Sequence, residues 1–438
     1  MPTVFLPPFE KTGMQLSPMQ LSDLDADRRA ALVDRDSGVE AERETVREII
    51  EQVRADGDAA LKELSSRFDG VEVESIEVTA RIDEAGSALD SDIKAAIETA
   101  AANIREFHAA EVPEDWRADF DGRELGRRFR PLDRVGIYAP GGTAAYPSSV
   151  LMGVIPAKVA GVEEVVVATP PAEEIHPATL YAADVAEADA VYQIGGAQAI
   201  AALAYGTESV EPVQKIAGPG NRFVTAAKAE VQGDAAIDFL AGPSELLAIA
   251  DDTADPAAVA ADMLAQAEHD PDSSVVAITD DAAVADSIRA AIDAQIPERN
   301  RAETIEAALD GAQSAILVAD SLSAAATFAE AYAAEHLSIQ TADDEAVLDA
   351  IDSAGSVFLG HQTPVAAGDY ATGTNHVLPT GGQAKIVGGL SVDTFLRATT
   401  VQRLDEDSLS GLADTIRTLA TTEGLDAHEA SVSVRLED

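Results

Sequence analysis

A chain of 438 residues with 78 acidic and 30 basic side chains has a formal net charge of −48, and a polyanion of that strength repels nucleic-acid phosphates and anionic lipid, so neither is expected as a partner. Hydrophobic residues make up 46% of the chain but aromatic ones only 4%, so its cores must be built from Ala, Val, Ile and Leu, and at this length two or more domains are expected. Cysteine is absent, which excludes disulfides and thiolate metal sites.

The acid is spread along the chain and Lys is scarce. That composition suits concentrated salt, where screening over a few Å removes self-repulsion. The opening residues MPTVFLPPFEKTG lack the basic flank and apolar run of a secretory signal. The most apolar stretch, Val150 to Pro170, is broken by Pro156, Lys158, Glu163 and Glu164, so no membrane span is expected. A soluble protein of a salt-rich cytoplasm is the expectation.

In chain order, residues 14–65 read as helices rich in Arg and acid, followed by a second helical stretch from Asp90 to Ala110 and a polar connector from Glu114 to Arg130. From Arg134 the texture becomes VGIYA, SSVLMGVIPAKVAG, EVVVATPP, AVYQIGG, AQAIAALAYG and QKIAGPGN. Strand, glycine turn, helix, strand is the pattern of a parallel sheet. A second series follows, from LLAIAD and PAAVAADMLAQAEH through SSVVAIT and SAILVA to LSAAATFAEAYAAEH and LSIQT. Two successive α/β units are therefore predicted. The glycine-rich segment from Gly360 to Gly389 reads as loop, and residues 392–430 as helix ending in a short VSVRL run.

Three strand-to-turn junctions fall in the first unit: Gly141-Gly142, Gly195-Gly196 and Gly218-Pro219-Gly220-Asn221. Ligands of open α/β sheets sit at strand carboxyl ends, where glycine lets backbone amides approach a phosphate. None is a GxGxxG, and the same glycines serve equally well as tight turns. Gln266 and His269 stand three apart near a helix end, on one face. A divalent metal could take both, with Asp369 completing a hard-leaning site; alternatively His269 merely meets helix-end carbonyls. Glu335-His336 marks the step from helix to strand and offers a near-neutral base beside a carboxylate able to orient water, or only an imidazole at a helix C-terminus. The long loop GHQTPVAAGDYATGTNHVLPTGG carries Asp369, Asn375 and His376, and long loops in compact domains are usually functional. Glu423 and His428 lie in an acidic helical tail.

Taken together, YAPGG, GGAQAIAALAYG, GPGNRFVT, AGPSE, QAEHDPDS, EHL, SAGSVFLG, AGDYATGTNHVLPT and the stretch from Glu423 to His428 closely resemble histidinol dehydrogenase, from about Arg134 to the C-terminus. The resemblance implies NAD-dependent four-electron oxidation of L-histidinol to L-histidine via L-histidinal, the last step of histidine biosynthesis. It implies a homodimer with one zinc per subunit and NAD as co-substrate. Zinc ligands would be Gln266, His269, Asp369 and His428, the last given by the partner tail. NAD contacts would be Tyr138, Gln198 and Asn221. Ser244, Gln266, His269, His336, Asp369, Glu423 and His428 would bind substrate, and Glu335 and His336 would act as general bases. One departure from the family pattern is Asp270, where glycine is usual.

The implied architecture is two Rossmann-like α/β domains with incomplete dinucleotide folds, an N-terminal helical arm and a C-terminal helical tail. The expected boundaries are an arm over 1–30, a discontinuous metal-bearing domain over 31–130 plus 246–390, an NAD-binding domain over 131–245 and a partner-contacting tail over 391–438. The residues add one point of their own. Oxidising an aldehyde by hydride loss first needs a tetrahedral adduct; without cysteine that adduct must come from water, and water needs a base. The alternatives are a metal hydrolase, which would consume no NAD, and a non-catalytic metal- or imidazole-binding protein, which would bind histidinol without turnover.

Overall fold

The computed structural model describes residues 16–35, 39–141 and 145–436. Its strands, in chain order, are β1 (Met19–Gln20), β2 (Trp116–Phe120), β3 (Arg123–Pro131), β4 (Arg134–Tyr138), β5 (Glu164–Thr169), β6 (Ala190–Gln193), β7 (Lys215–Ala217), β8 (Ala236–Ile237), β9 (Glu245–Ala250), β10 (Ser274–Thr279), β11 (Ala315–Val318), β12 (His336–Gln340), β13 (Ser356–Leu359) and β14 (Leu396–Leu404). They form a five-stranded sheet of order β6-β5-β4-β7-β8, a six-stranded sheet of order β1-β11-β10-β9-β12-β13, and a three-stranded sheet of order β14-β3-β2. Both larger sheets are parallel throughout. Every residue of β9 and β10 is buried, as expected where helices cover both faces. The two predicted α/β units are thus present. In each, the strand order reverses beside the first strand of the unit, between β4 and β7 and between β9 and β12.

Alternate residues of each strand pack into opposite cores. In the five-stranded sheet Ile137 and Val165 face the helices Ser91–Ala109 and Pro147–Ala160, whereas Tyr138 and Val166 face Val39–Asp56 and Gly196–Tyr205. In the six-stranded sheet Leu246 and Val275 pack on Pro256–Ala267, and Leu247 and Val276 on Leu322–Tyr332. The close fit of Pro147–Ala160 to β4 depends on Gly153, where any side chain would run into Ile137.

Several elements differ from the expectation. The helices of residues 39–109 do not join the six-stranded unit; they cover the five-stranded sheet, because Val46, Ile49, Ile50 and Val53 form an apolar stripe at helical spacing that packs on it. The connector expected over 114–130 is a hairpin, turned by Asp121 and Gly122, whose φ values of 53° and 82° suit a two-residue turn. The tail opens with β14, antiparallel to β3, before the helices Glu406–Thr422 and Asp426–Leu436, and VSVRL belongs to the last of these. Of the N-terminal arm, residues 1–15 lie outside the described residues; its described part adds β1 to the six-stranded sheet and then forms the helix Ala26–Val33. Among the described residues no helix is long and apolar enough to cross a membrane.

Candidate active site

A cavity of about 940 Å³ opens between the two parallel sheets. One wall is the carboxyl edge of the five-stranded sheet. Tyr138 ends β4, and its buried hydroxyl accepts a hydrogen bond from the Gly196 N–H at 3.1 Å; burial pushes its pKa up to about 12, so the phenol stays neutral. Gly196 opens the helix that holds buried Gln198 in its first turn. After β7 the chain turns at Gly218, whose φ of +110° leaves no room for a side chain beside the Tyr138 carbonyl. That turn is fixed from behind. Asp238 accepts from the Gly218 N–H at 2.8 Å, Lys228 donates to the Gly218 carbonyl at 2.8 Å, and the two buried side chains pair. Asn221 then caps the next helix, accepting from the N–H groups of Phe223 and Val224 at 3.0 and 3.2 Å.

The opposite wall is the amino edge of the six-stranded sheet. Ser244 immediately precedes β9, and Glu335 precedes β12, which begins at His336. One residue holds both members of that pair: the Glu245 N–H donates to Glu335 Oε2 at 2.7 Å, and the Glu245 carbonyl accepts from His336 Nδ1 at 3.0 Å. A carbonyl can only accept, so Nδ1 carries a proton and Nε2 is left facing Asp369 Oδ1 at 3.4 Å. That distance allows an electrostatic pair, but the angle does not make a hydrogen bond, and buried Nε2 has no hydrogen-bond partner. The Glu245 carboxylate is itself held by Arg35 through bonds of 2.7 and 2.8 Å and by the Gly381 N–H at 2.7 Å. Arg35 lies over the ring of buried Tyr332, 3.7 Å from its centroid.

Gln266 is buried in the last turn of the helix Pro256–Ala267, and His269 follows its end. Asp369 lies on the helix Val365–Tyr370, and its carbonyl accepts from His376 Nδ1 at 2.9 Å. Burial opposes the Asp369 charge, but the imidazoles of His336, His376 and His269 hold its pKa below the usual value. Burial likewise opposes charge on His336, yet the carboxylates of Glu335 and Asp369 raise its pKa well above 6.5.

Tyr138, Gln198, Asn221, Ser244, Gln266, His269, Glu335, His336 and Asp369 therefore line one cavity. Gly141 lines it as well; Gly142 is outside the described residues. Glu423 and His428 do not join them, being exposed on the C-terminal helices. Asp270 stays at the rim, where its carboxylate closes a turn by accepting from the Asp272 N–H at 2.8 Å. An amide oxygen, an imidazole and a carboxylate on one wall suit a borderline divalent ion such as zinc. Among the described residues no three His, Cys, Asp or Glu side chains make a metal site unaided; within one chain the donor set fits, one ligand short of four.

Sequence reading missed the residues behind the site. Glu245, Arg35 and the Lys228–Asp238 pair are charged side chains in apolar surroundings, and Asp262 is a carboxylate on the buried face of the helix that bears Gln266. Asp262 bridges to the segment that carries Asp369, accepting from the Val365 N–H at 3.4 Å, and accepts from Gln340 Nε2 at 3.3 Å. The signal was available: an acid at a core position of a helix or strand must have a partner.

A family model, near-full-length relatives and a solved structure above 30% identity name one family. The family model for histidinol dehydrogenase matches residues 33–436. A relative from Haloarcula marismortui, named histidinol dehydrogenase, is 65% identical over 417 residues, covering 95% of this chain and 99% of its own. One of the same name from Methanosarcina mazei is 47% identical over 421 residues, covering 95% and 97%. The crystal structure of histidinol dehydrogenase from Elizabethkingia anophelis superposes with a TM-score of 0.91 at 37% identity, covering 96% of this chain and 98% of that one.

Burial raises the Asp262 pKa from 3.8 to about 6, with the Val365 N–H opposing and the Asp369 charge adding to the rise. The folded state thus keeps a proton that the unfolded chain has released, and the associated stability is present below about pH 4 and lost as pH climbs to about 6. Asp262→Asn removes that charge, and Gln340 can turn its unpartnered Oε1 toward the new amide. In denaturant melts at constant molar salt, the variant should gain about 1–3 kcal/mol over the parent at pH 7.5 and little at pH 4. An equal loss at both values would show that burial does not raise the Asp262 pKa and that the fold relies on its charged form.

Proposed function

The chain belongs to the histidinol dehydrogenase family, and on that premise we propose that its cavity oxidises L-histidinol to L-histidine through L-histidinal in two NAD-dependent steps, at the end of histidine biosynthesis. Membership makes it an oxidoreductase acting on histidinol. The observation that carries the stepwise reading is the pair Glu335 and His336 set side by side on the backbone of Glu245.

Gln266, His269 and Asp369 would hold zinc together with His428 of a second copy. Bound there, zinc would anchor the substrate through its imidazole and amine nitrogens. NAD, on the opposite wall near Tyr138, Gln198 and Asn221, would accept a hydride in each oxidation. The remaining chemistry falls to this chain's own groups. His336 carries its proton on Nδ1 against the Glu245 carbonyl, so Nε2 presents the lone pair that takes the alcohol proton in the first oxidation and the hydrate proton in the second. Asp369, when engaged as a ligand, no longer holds His336 protonated, which brings the imidazole back toward the range a base needs. Glu335 removes the proton of the water that adds to the aldehyde, forming the hydrate that the missing cysteine cannot replace with a thiol adduct. Ser244, Glu423 and the ligands would orient the substrate. Exposed His428 and a one-chain donor set short of four support a homodimeric site completed by the partner's tail. The dispersed acid supports work at high salt in the cytoplasm.

These roles separate in single turnovers begun from histidinol or from histidinal. Glu335→Gln should spare the oxidation of histidinol to the aldehyde level within a few-fold and slow turnover from histidinal by about 10²–10⁴-fold, whereas His336→Asn should slow both. Equal losses from both starting points in the Glu335 variant would remove the division of labour.

Sharing of the site can be read by complementation. His269→Ala and His428→Ala proteins should each be inactive and bind little zinc, and mixing them under conditions of subunit exchange should restore activity in heterodimers that contain one whole ligand set. Exchange without recovery would mean that His428 acts within its own chain or not at all.

A further inference from the structure

The cavity extends beyond the chemistry just described. Away from Glu335 and His336 it continues past Tyr138 to a slot walled by Ile49, Phe68, Val71 and Phe223. One charged side chain enters that slot. Asp69 closes the turn Ser65–Asp69, and its Oδ2 is buried without a hydrogen-bond partner. The side chain as a whole is half-buried, burial pushes its pKa up to about 6, and one carboxylate oxygen kept from water without a donor is a costly state. A second feature concerns charge. Among the described residues that line the cavity there is no Lys or Arg; the guanidiniums that stack on two of the slot's rings, Arg67 on Phe68 and Arg222 on Phe223, stay outside the lining, and Arg222 is paired with Glu42.

An apolar slot with one acceptor-only carboxylate suits a nucleoside, whose base would lie between the apolar side chains and whose sugar hydroxyls would donate to the acid. If the nicotinamide half of NAD reaches toward His336, the adenosine half must run the other way, past Tyr138. We propose that Asp69 binds the ribose diol of that adenosine half and selects NAD over NADP, an assignment that rests on the NAD reading above. A carboxylate does the same for the ribose 2′-hydroxyl in dinucleotide folds, where it lies about 20 residues after the glycine turn. Here it precedes the sheet in sequence and arrives from the helical layer over residues 39–69, so no glycine-rich fingerprint announces it. A 2′-phosphate would put two further negative charges against Asp69, with no Lys or Arg in the cavity lining to offset them.

The test compares kcat/KM for NAD and NADP, at saturating histidinol and fixed molar salt, in the parent, Asp69→Ser and Asp69→Asn. Asp69→Ser should lower kcat/KM for NAD by about 10–100-fold, as expected for losing hydrogen bonds to a charged acceptor. Its kcat at saturating NAD should change by about twofold or less, since the hydride end is untouched, and the NAD/NADP preference should fall on the order of 100-fold. Asp69→Asn, which keeps shape and one acceptor oxygen, should lose less with NAD but gain with NADP. The parent tested with 2′-deoxy-NAD needs no variant at all and should show a loss similar to that of Asp69→Ser. An unchanged coenzyme preference in both variants, with NAD turnover intact, would overturn the role of Asp69 and leave the NAD reading standing. A parent that reduces neither coenzyme would overturn both.

Discussion

The site depends on how two parallel sheets meet: the carboxyl edge of one faces the amino edge of the other across the cavity. In a parallel α/β sheet the helices run opposite to the strands. The five-stranded sheet therefore presents helix N-termini to the cavity, at Ser148, Gly196 and Phe223, and the six-stranded sheet presents the C-terminal end of the helix that carries Gln266. Helix N-termini bear partial positive charge and free N–H groups, and C-termini bear partial negative charge. One wall thus favours an anion such as a pyrophosphate and the other a cation, whether a metal ion or a protonated imidazole. The proposed reaction between a dinucleotide and a metal-anchored amino alcohol would need both at once. Neither sheet alone would supply them.

Across that gap the cation-favouring wall must hold an acid and an imidazole steady at the start of a strand. Glu245 does this with main chain and side chain together. Its N–H and carbonyl take Glu335 and His336, and its carboxylate is locked by Arg35 and Gly381. A buried ion pair adds little net stability, because desolvating two charges offsets their attraction, but it is expensive to leave half-made. Its value here is in geometry. Arg35 comes from just past the end of the N-terminal helix, so a segment remote in sequence fixes Glu335 and His336. The Lys228–Asp238 pair performs the same service on the other wall, for the turn at Gly218.

What could be read from the sequence follows from what periodicity and local chemistry encode. The strands of both α/β units were legible because buried parallel strands are continuous apolar runs between glycine turns. The hairpin of β2 and β3 was not, because every residue of Trp116–Phe120 is exposed and no alternation marks it; only Asp121-Gly122 signalled the turn. The helix Val39–Asp56 could be recognised as amphipathic, but its apolar stripe does not say which sheet it covers, and the boundaries implied by the resemblance placed it with the other one. The residues that gather in the cavity were legible as residue types at meaningful spacings, such as Gln266 with His269 and Glu335 with His336. The strand carboxyl-end rule held for one sheet only; the second set of residues gathers at strand amino ends. Glu245, Arg35 and Asp69 were hidden, since each acts through a contact far away in sequence or through the lack of one.

The central claim is that one cavity carries a single substrate through two oxidations, with Glu335 supplying the water step between them. Counting NADH formed per histidinol consumed, with histidinol limiting and NAD in excess, tests it most directly. Two NADH per histidinol, with histidine as the product and no aldehyde released, is the predicted result. One NADH per histidinol with histidinal accumulating would contradict it, and would reduce Glu335 from a base for water to a neighbour of His336.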